Sequence, residues 1–420
     1  MSKIRIRNFG PIKEGYAKDD GYLDIRKVTL FMGNQGSGKS TVAKLISTFT
    51  WIEKALVRGD YSVEYFQRKD RFAQYLQYHK INNYLHYRNE KPEHLAIYHD
   101  SEISYKGEAY HMHFTGRRLE IEKVEETSYD LPQIMYVPAE RNFLSTVDDL
   151  RSQRLFSDAL VELLTELENS KKNLYKNISL PINNASLEYD PAENALFIRG
   201  EDYRVVLSES SSGFQSIVPL YLVTSYLANL TRNKAAHNPV SIDEQDRFRK
   251  GIAAIWADET LTDDQRRVAL SELSAKFNKT AFINIVEEPE QNLFPESQWK
   301  ITICLLGFNN AMLGNKLMMT THSPYILNGL TLAVKAALVS KKISNAKNKQ
   351  ELEDKLNTIV PREAWLHPND LIVYELDGKG NIIKLDDYKG MPSDENYLNN
   401  SLGEFNEQFS NLLDLETQCQ

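Results

Sequence analysis

Residues 33–40 read Gly33-Asn34-Gln35-Gly36-Ser37-Gly38-Lys39-Ser40, a complete G-x-x-x-x-G-K-[ST] segment. Glycines so spaced let successive backbone N–H groups turn inward on phosphate oxygens, and a following helix adds the positive end of its dipole. Lys39 would reach the β- and γ-phosphates, and the Ser40 hydroxyl would sit on Mg2+. Far along the chain, Phe282-Ile283-Asn284-Ile285-Val286 is an apolar run ending in Glu287-Glu288-Pro289-Glu290. One carboxylate at such a strand tip, Glu287, can hold the metal. The next, Glu288, points elsewhere because side chains alternate, and can polarise an attacking water. His322, in Thr320-Thr321-His322-Ser323-Pro324, closes a later strand, where it can hydrogen-bond a γ-phosphate. Ser211-Ser212-Gly213-Phe214-Gln215 opens a helix with hydroxyls and a glycine, a second anion site. That second loop is redundant if Gly33–Ser40 already holds the phosphates.

These residues need strands and helices to hold them. Residues 3–9 and 23–32 read as two strands, the second running straight into the glycine-rich loop. Val42, Leu45, Ile46, Phe49 and Ile52 then recur at helical spacing. Strand, loop and helix in that order are the context the phosphate pattern requires. Residues 55–95 read as two inserted helices, 96–127 as a small antiparallel sheet and 133–138 as a strand ending at Pro138. Helical spacing returns at 147–178, and two strands flank the turn Asp190-Pro191-Ala192-Glu193-Asn194. A polar stretch at 232–280, helical at 243–256 and 261–277, is a candidate partner surface. After the strand at 282–286, a helix at 298–313, a strand at 316–320 and a helix at 325–339 follow. Residues 341–360, rich in Lys and Asn, read as a mobile connection. Residues 371–376 and 382–385 read as a hairpin, and a polar helical tail closes the chain. Buried strands alternating with helices indicate an α/β core.

The 420 residues suffice for one large or two modest domains, and 41% hydrophobic with 26% charged residues is ordinary for a globular protein. No apolar run reaches the roughly 18 residues of a membrane span. The two cysteines, Cys304 and Cys419, lack metal-ligand spacing, and a reduced cytoplasm is the expected setting. The net charge of −8 disfavours a broad non-specific grip on nucleic acid. Several of the 22 tyrosines cluster between Tyr61 and Tyr87 and are expected to pack into a core or an interface.

Taken in order, the phosphate loop, Ser-Ser-Gly-x-Gln, Glu-Glu-Pro-Glu and Thr-His-Ser-Pro resemble the ABC-type ATPase head, in the flavour of the OLD-like and RecF-like proteins. The opening Ile6-Arg7-Asn8-Phe9-Gly10-Pro11-Ile12 and Tyr136-Val137-Pro138-Ala139-Glu140-Arg141 look like that group too. The resemblance implies an α/β ABC-type head, a mixed central sheet with flanking helices, plus helical insertions. The pieces would be 1–54 with the Walker A loop, the insertion 55–130, 131–231 with the signature loop, the insertion 232–280, 281–340 with Walker B and the switch histidine, and 341–420 with the hairpin and tail. It implies that ATP and Mg2+ are the cofactors and that ATP is hydrolysed to ADP and phosphate. Gly33, Asn34, Gln35, Gly36, Ser37, Gly38, Lys39, Ser40 and Thr41 would contact the nucleotide, with Ser40 and Glu287 on the metal. Glu288 would be the catalytic glutamate and His322 the switch histidine. Ser212 and Gly213 would act in trans across an ATP-sandwich dimer. Asn292 falls where the family's D-loop residue would be, and Glu140 would stand in for a Q-loop glutamine. Phe214 replaces a transporter glycine, and Glu287 replaces the usual aspartate.

Within that class, chromosome-type heads would need a long heptad coiled coil between loop and signature, whereas the intervening residues mix strand and helix. The residues after His322 are expected to be too few for a fused Toprim nuclease. The resemblance is then to stand-alone OLD-like ATPases, most like the AriA family of the PARIS anti-phage systems. It implies a cytoplasmic homo-oligomer that holds a separate Toprim-type (AriB-like) nuclease effector and responds to a phage-encoded trigger protein, such as a DNA mimic. The alternatives are a RecF-like repair ATPase acting on DNA, and a nucleotide-locked scaffold.

Overall fold

The computed structural model describes residues 1–88, 98–125, 129–146, 157–174, 177–235, 242–263, 265–266, 269–270, 273 and 280–418. The architecture is α/β, with a mixed central sheet flanked by helices. Seven strands make that sheet, in the order 15–16, 381–384, 371–376, 28–33, 316–321, 281–287, 132–137. The last five run parallel. The phosphate-loop strand, Val28–Gly33, and the strand Ala281–Glu287 are buried along their whole length. Strands covered on both faces have no need of alternating polarity, which is why they read as continuous apolar runs.

Alternation instead divides the sheet between two cores. Leu30, Met32, Val286 and Met319 pack with Ile217, Leu305 and Leu330 of the helices Ser212–Ala235, Pro295–Asn310 and Pro324–Ile343. Phe31, Ile285 and Met318 point the other way, into Val42, Ile46 and Phe49 of the helix Lys39–Arg58. That helix also supports a second, antiparallel sheet, ordered 23–24, 3–7, 98–106, 110–116, 118–123. The two N-terminal strands therefore serve different sheets: Lys3–Arg7 pairs with Tyr98–Lys106, while Val28–Gly33 is central. A third sheet is formed by 178–179, 186–190, 195–199 and 204–206. Among the described residues no helix is long and apolar enough to cross a membrane.

Some local expectations need correction. The two helices expected within 55–95 are present but short: the helix from Lys39 first runs on to Arg58 and ends at Gly59 in the left-handed region (φ 80°). Two short ones follow, Val63–Gln67 and Arg71–Leu76, divided near Asp70 at φ 61°. Tyr61 and Tyr65 are buried and pack their rings 4.8 Å apart, with Trp256 5.5 Å from Tyr61. The helix Ile242–Ala257 thus docks on that aromatic cluster. The 341–360 segment is helical: Pro324–Ile343 is followed by Lys349–Ile359, whose Leu356 and the following Val360 are buried. The C-terminal hairpin is no appendage. Leu371–Leu376 lies in the middle of the sheet beside the phosphate-loop strand, with Leu376 opposite Gly33. Expected helix at 147–156 and much of that at 261–277 lie outside the described residues, as does Cys419.

Glu53 ties the helix to the antiparallel sheet. It is 1% exposed and accepts from Ala109 N (2.7 Å), Tyr110 N (3.2 Å) and the Tyr105 hydroxyl (3.1 Å). Burial raises its pKa above the ordinary 4.5, against the pull of those donors. A carboxyl with a raised folded-state pKa favours folding below its unfolded value, and that advantage is lost as pH rises through the folded value. Glu53→Gln is therefore expected to gain thermal stability relative to the wild type, by a few degrees, as pH rises from 5 to 8. Melting curves that stay parallel across that range would contradict this role.

Candidate nucleotide site at the carboxyl edge of the sheet

The parallel strands bring their carboxyl ends to one edge. Glu287 lies opposite Thr320, and Thr320 and Thr321 lie opposite Phe31 and Met32. The phosphate-loop residues thus emerge beside the Thr-His segment, which emerges beside the glutamates. Ligands of open α/β sheets bind at this edge.

Residues 33–40 join the strand Val28–Gly33 to the helix that starts at Lys39. Gly33, Gly36 and Gly38 adopt φ of 145°, 74° and 106°, values that side-chain-bearing residues rarely hold. At Gly33 a Cβ would also meet the Leu376 carbonyl oxygen at 2.4 Å. The hairpin strand therefore dictates that glycine. Asn34, Gln35 and Gly36 are exposed, whereas Ser37, Gly38, Lys39 and Thr41 are buried and Ser40 is half-buried. The Lys39 ammonium donates to the carbonyls of Gly33 and Asn34, both at 2.8 Å. Burial lowers its pKa, while Glu288, Glu290 and Glu287 oppose that shift. The buried Ser37 hydroxyl has no hydrogen-bond partner among the described residues.

Glu287 is 3% exposed and accepts from the Tyr136 hydroxyl and from Ala139 N at 3.2 Å. Lys44 approaches it to 3.8 Å. Lys44 lies one helical turn beyond Ser40 on the same helix face, so Glu287 faces the side of the helix that carries Ser40. Glu288 follows at φ 44°, a left-handed conformation that costs of order 1 kcal/mol or more in a non-glycine residue. Its N–H donates to the Thr320 carbonyl at 3.0 Å, and its carboxylate lies 3.5 Å from His322 Nδ1. The His322 contact holds the Glu288 carboxyl below its usual range, and the same contact raises the histidine.

Sequence reasoning missed two buried residues here. Glu290 is 4% exposed; its Oε1 accepts from the Thr321 hydroxyl (2.7 Å) and from His322 N (2.9 Å), while Oε2 has no hydrogen-bond partner among the described residues. Burial pushes its pKa up. Arg141 is 0% exposed and donates to the carbonyls of Glu287 and Glu288, both at 2.7 Å, Ser216 at 3.1 Å and Pro138 at 3.3 Å. Burial lowers its pKa to about 10. Both residues stand inside motif segments, but no spacing rule marks a carbonyl-bound arginine.

The second loop sits beside this edge. Ser212 is exposed at the start of its helix, and a Cβ on Gly213 would lie 3.0 Å from the Asn292 carbonyl oxygen. Gln215 Nε2 donates to the carbonyls of Ser208 and Ser210, at 2.9 and 3.0 Å. Asn292 is exposed at φ 58°, and Glu140 is exposed in the turn after Pro138. The structure gathers Lys39, Glu287, Glu288 and His322 at one edge, and it sets Gly213 against the Asn292 turn.

The residues fit a nucleotide with Mg2+. The loop has an ammonium beneath it, a buried hydroxyl without a partner and an opening at Gly36, where an added Cβ would meet nothing within 4 Å. Among the described residues no group of three His, Cys, Asp or Glu side chains could hold a metal alone. One carboxylate and one hydroxyl suit Mg2+, which takes its remaining ligands from phosphates and water. Gly33→Ala is expected to destabilise the chain by about 1–3 kcal/mol through backbone strain and to weaken nucleotide binding. Unchanged melting and unchanged binding would contradict the packing described for Gly33.

No protein-family model matches the chain. Among curated proteins, the DNA mismatch repair protein MutL of Streptococcus mutans serotype c (strain ATCC 700610 / UA159) is 28% identical over 152 residues, 36% of this chain. The match covers 20% of that relative's length. Among solved structures, the SMC head domain from Thermotoga maritima aligns with a TM-score of 0.37 and 12% identity, over 92% of this chain and 98% of its own. An Smc head bound to the C-winged helix domain of ScpA gives 0.40 and 10%, over 93% and 98%. A dimeric ATP-binding cassette bound to ADP and Pi gives 0.24 and 12%, over 92% and 100%. These overall likenesses are loose, and the α/β architecture stands on the strand order itself.

Proposed function

We propose that the chain binds ATP with Mg2+ and hydrolyses it, as an ABC-type ATPase head of the OLD/RecF-like class. The observation that carries this reading is the shared sheet edge: a phosphate-loop sequence on one strand, the Thr-His tip on the next and the glutamate pair on the third. In this reading the Walker A residues Lys39 and Ser40 hold the phosphates and Mg2+, with Glu287 on the metal side. Mg2+ supplies charge neutralisation on the β- and γ-phosphates. Glu288 orients and deprotonates the attacking water, and His322, 3.5 Å from it, senses the γ-phosphate. Ser212 and Gly213 serve the nucleotide of a second copy. The exposure of Ser212 at a helix start supports that role, because such a helix end offers free N–H groups to an anion.

The wider proposal is a sensor and scaffold subunit of an anti-phage system, most like AriA of PARIS, that holds and releases a Toprim-type nuclease on sensing a phage protein. It draws on the order of the four motifs. A second reading, a RecF-like ATPase acting on DNA, gains from the partial likeness to a protein named for DNA mismatch repair. The net charge of −8 weighs against it. A salt titration of duplex DNA binding separates the two: the second reading requires ATP-dependent binding that weakens steeply with salt.

For the ATPase itself, Lys39→Ala is expected to weaken ATP binding at least about tenfold. Glu288→Gln is expected to keep ATP binding and to lose about 10²–10⁴ in turnover, the usual contribution of a general base. Phosphate release and fluorescent-nucleotide binding measure these. Turnover retained in both variants would remove this function.

A further inference from the structure

Arg141 is among the largest fully buried side chains of the molecule. Burying a guanidinium costs several kcal/mol unless its donors are satisfied, and here four main-chain carbonyls do so. They belong to three places. Pro138 follows the strand Pro132–Val137 and precedes the 3-10 helix Ala139–Ser145 that carries Arg141. Glu287 and Glu288 flank the left-handed bend at the catalytic pair. Ser216 lies in the first turn of the helix that begins at Ser212. A planar fork with donors fixed in direction holds such carbonyls in register, which a flexible ammonium cannot do. Other contacts brace the same joint: the Ser216 hydroxyl donates to Gln291 Oε1 at 3.3 Å, and the Ser145 hydroxyl donates to the Gln215 carbonyl at 2.9 Å.

We propose that Arg141 is a positioning residue that couples the helix start at Ser212 to the backbone of Glu288, so that engagement of Ser212 by a second copy's nucleotide sets the water-activating carboxylate. The inference rests on the ATPase reading above. Arg141 touches no reacting atom in it. Two of its bonds hold the strained turn at Glu288, and a third holds the helix whose first residue, Ser212, is exposed. A shift of that helix start is passed through a rigid fork rather than through loose loop. Turnover is thereby linked to pairing: a lone chain keeps Glu288 bent but receives no push from Ser212.

The test is a double-mutant cycle in the full chain, using Arg141→Met, Arg141→Lys and Ser212→Ala, with kcat, KM, binding of a non-hydrolysable ATP analogue and melting temperature measured for each. Folded Arg141→Met is expected to bind the analogue within threefold of wild type and to lose at least tenfold in kcat. Arg141→Lys keeps the charge without the fork and is expected to lose at least fivefold. Ser212→Ala is expected to cost at least fivefold in the wild-type background and less than twofold in either Arg141 variant, since the link is already cut. Should Arg141→Met fail to fold, the cycle with Arg141→Lys decides. Independent losses that multiply, a kcat within twofold of wild type, or analogue binding that falls in step with kcat would each overturn the coupling. Wild-type chain that binds the analogue but releases no phosphate from ATP would instead overturn the ATPase reading, and the coupling with it.

Discussion

Parallel pairing of five strands is the constraint on which everything else depends. Lys39, Glu287, Glu288 and His322 are scattered through the sequence, and they meet only because their strands share one direction and one register. With Glu287 opposite Thr320 and Thr321 opposite Met32, the strand ends finish level and their following residues crowd one edge. A slip of one residue in the strand Ala281–Glu287 would turn Glu287 away from the helix Lys39–Arg58 and bring Val286 in its place. Burial on both faces opposes that slip, because Phe282 and Val286 fill one core while Ile283 and Ile285 fill the other.

Beneath the exposed loop and His322 the edge is polar and buried, so the charges there must be answered from within. Arg141 and Glu290 provide much of that answer. One is a fully buried cation satisfied by carbonyls; the other is a buried carboxyl that fixes the Thr321 hydroxyl and the His322 N–H. Together they hold both sides of the Glu288–His322 contact. The left-handed bend at Glu288 persists because it is held at its N–H by Thr320 and at its carbonyl by Arg141. Strain held in this way keeps a carboxylate aimed without leaving its side chain free to wander.

The strand–loop–helix around residues 33–40 was legible in the sequence because its signal is local: glycines, a lysine and a hydroxyl within eight residues, between an apolar run and helical spacing. The α/β class was legible because doubly buried strands leave unbroken apolar runs. What escaped was non-local. Nothing in Leu371–Leu376 says that it lies between Val28–Gly33 and Asn381–Lys384 rather than in a separate hairpin, since pairing is decided by which apolar faces remain to be covered. Arg141 escaped because its partners are main-chain carbonyls, which every residue has. Glu290 escaped because only the fold shows that it, like Glu287, turns inward. Tyr136, which donates to Glu287, stands in a motif segment that gives it no role of its own.

Gly213 lies against the Asn292 turn of its own chain, and Ser212 beside it is exposed. Completion of the nucleotide site by a second copy is therefore the central claim, and complementation between two crippled chains tests it most directly. A Lys39→Ala chain has a damaged loop and an intact Ser212; a Ser212→Arg chain has the reverse. Each alone should release little phosphate from ATP. Mixed in equal amounts, they form one sound composite site per mixed pair, and phosphate release should reappear at a substantial fraction of the wild-type rate. A mixture no more active than the sum of its parts, with both chains folded and associating, would contradict a site shared between two copies.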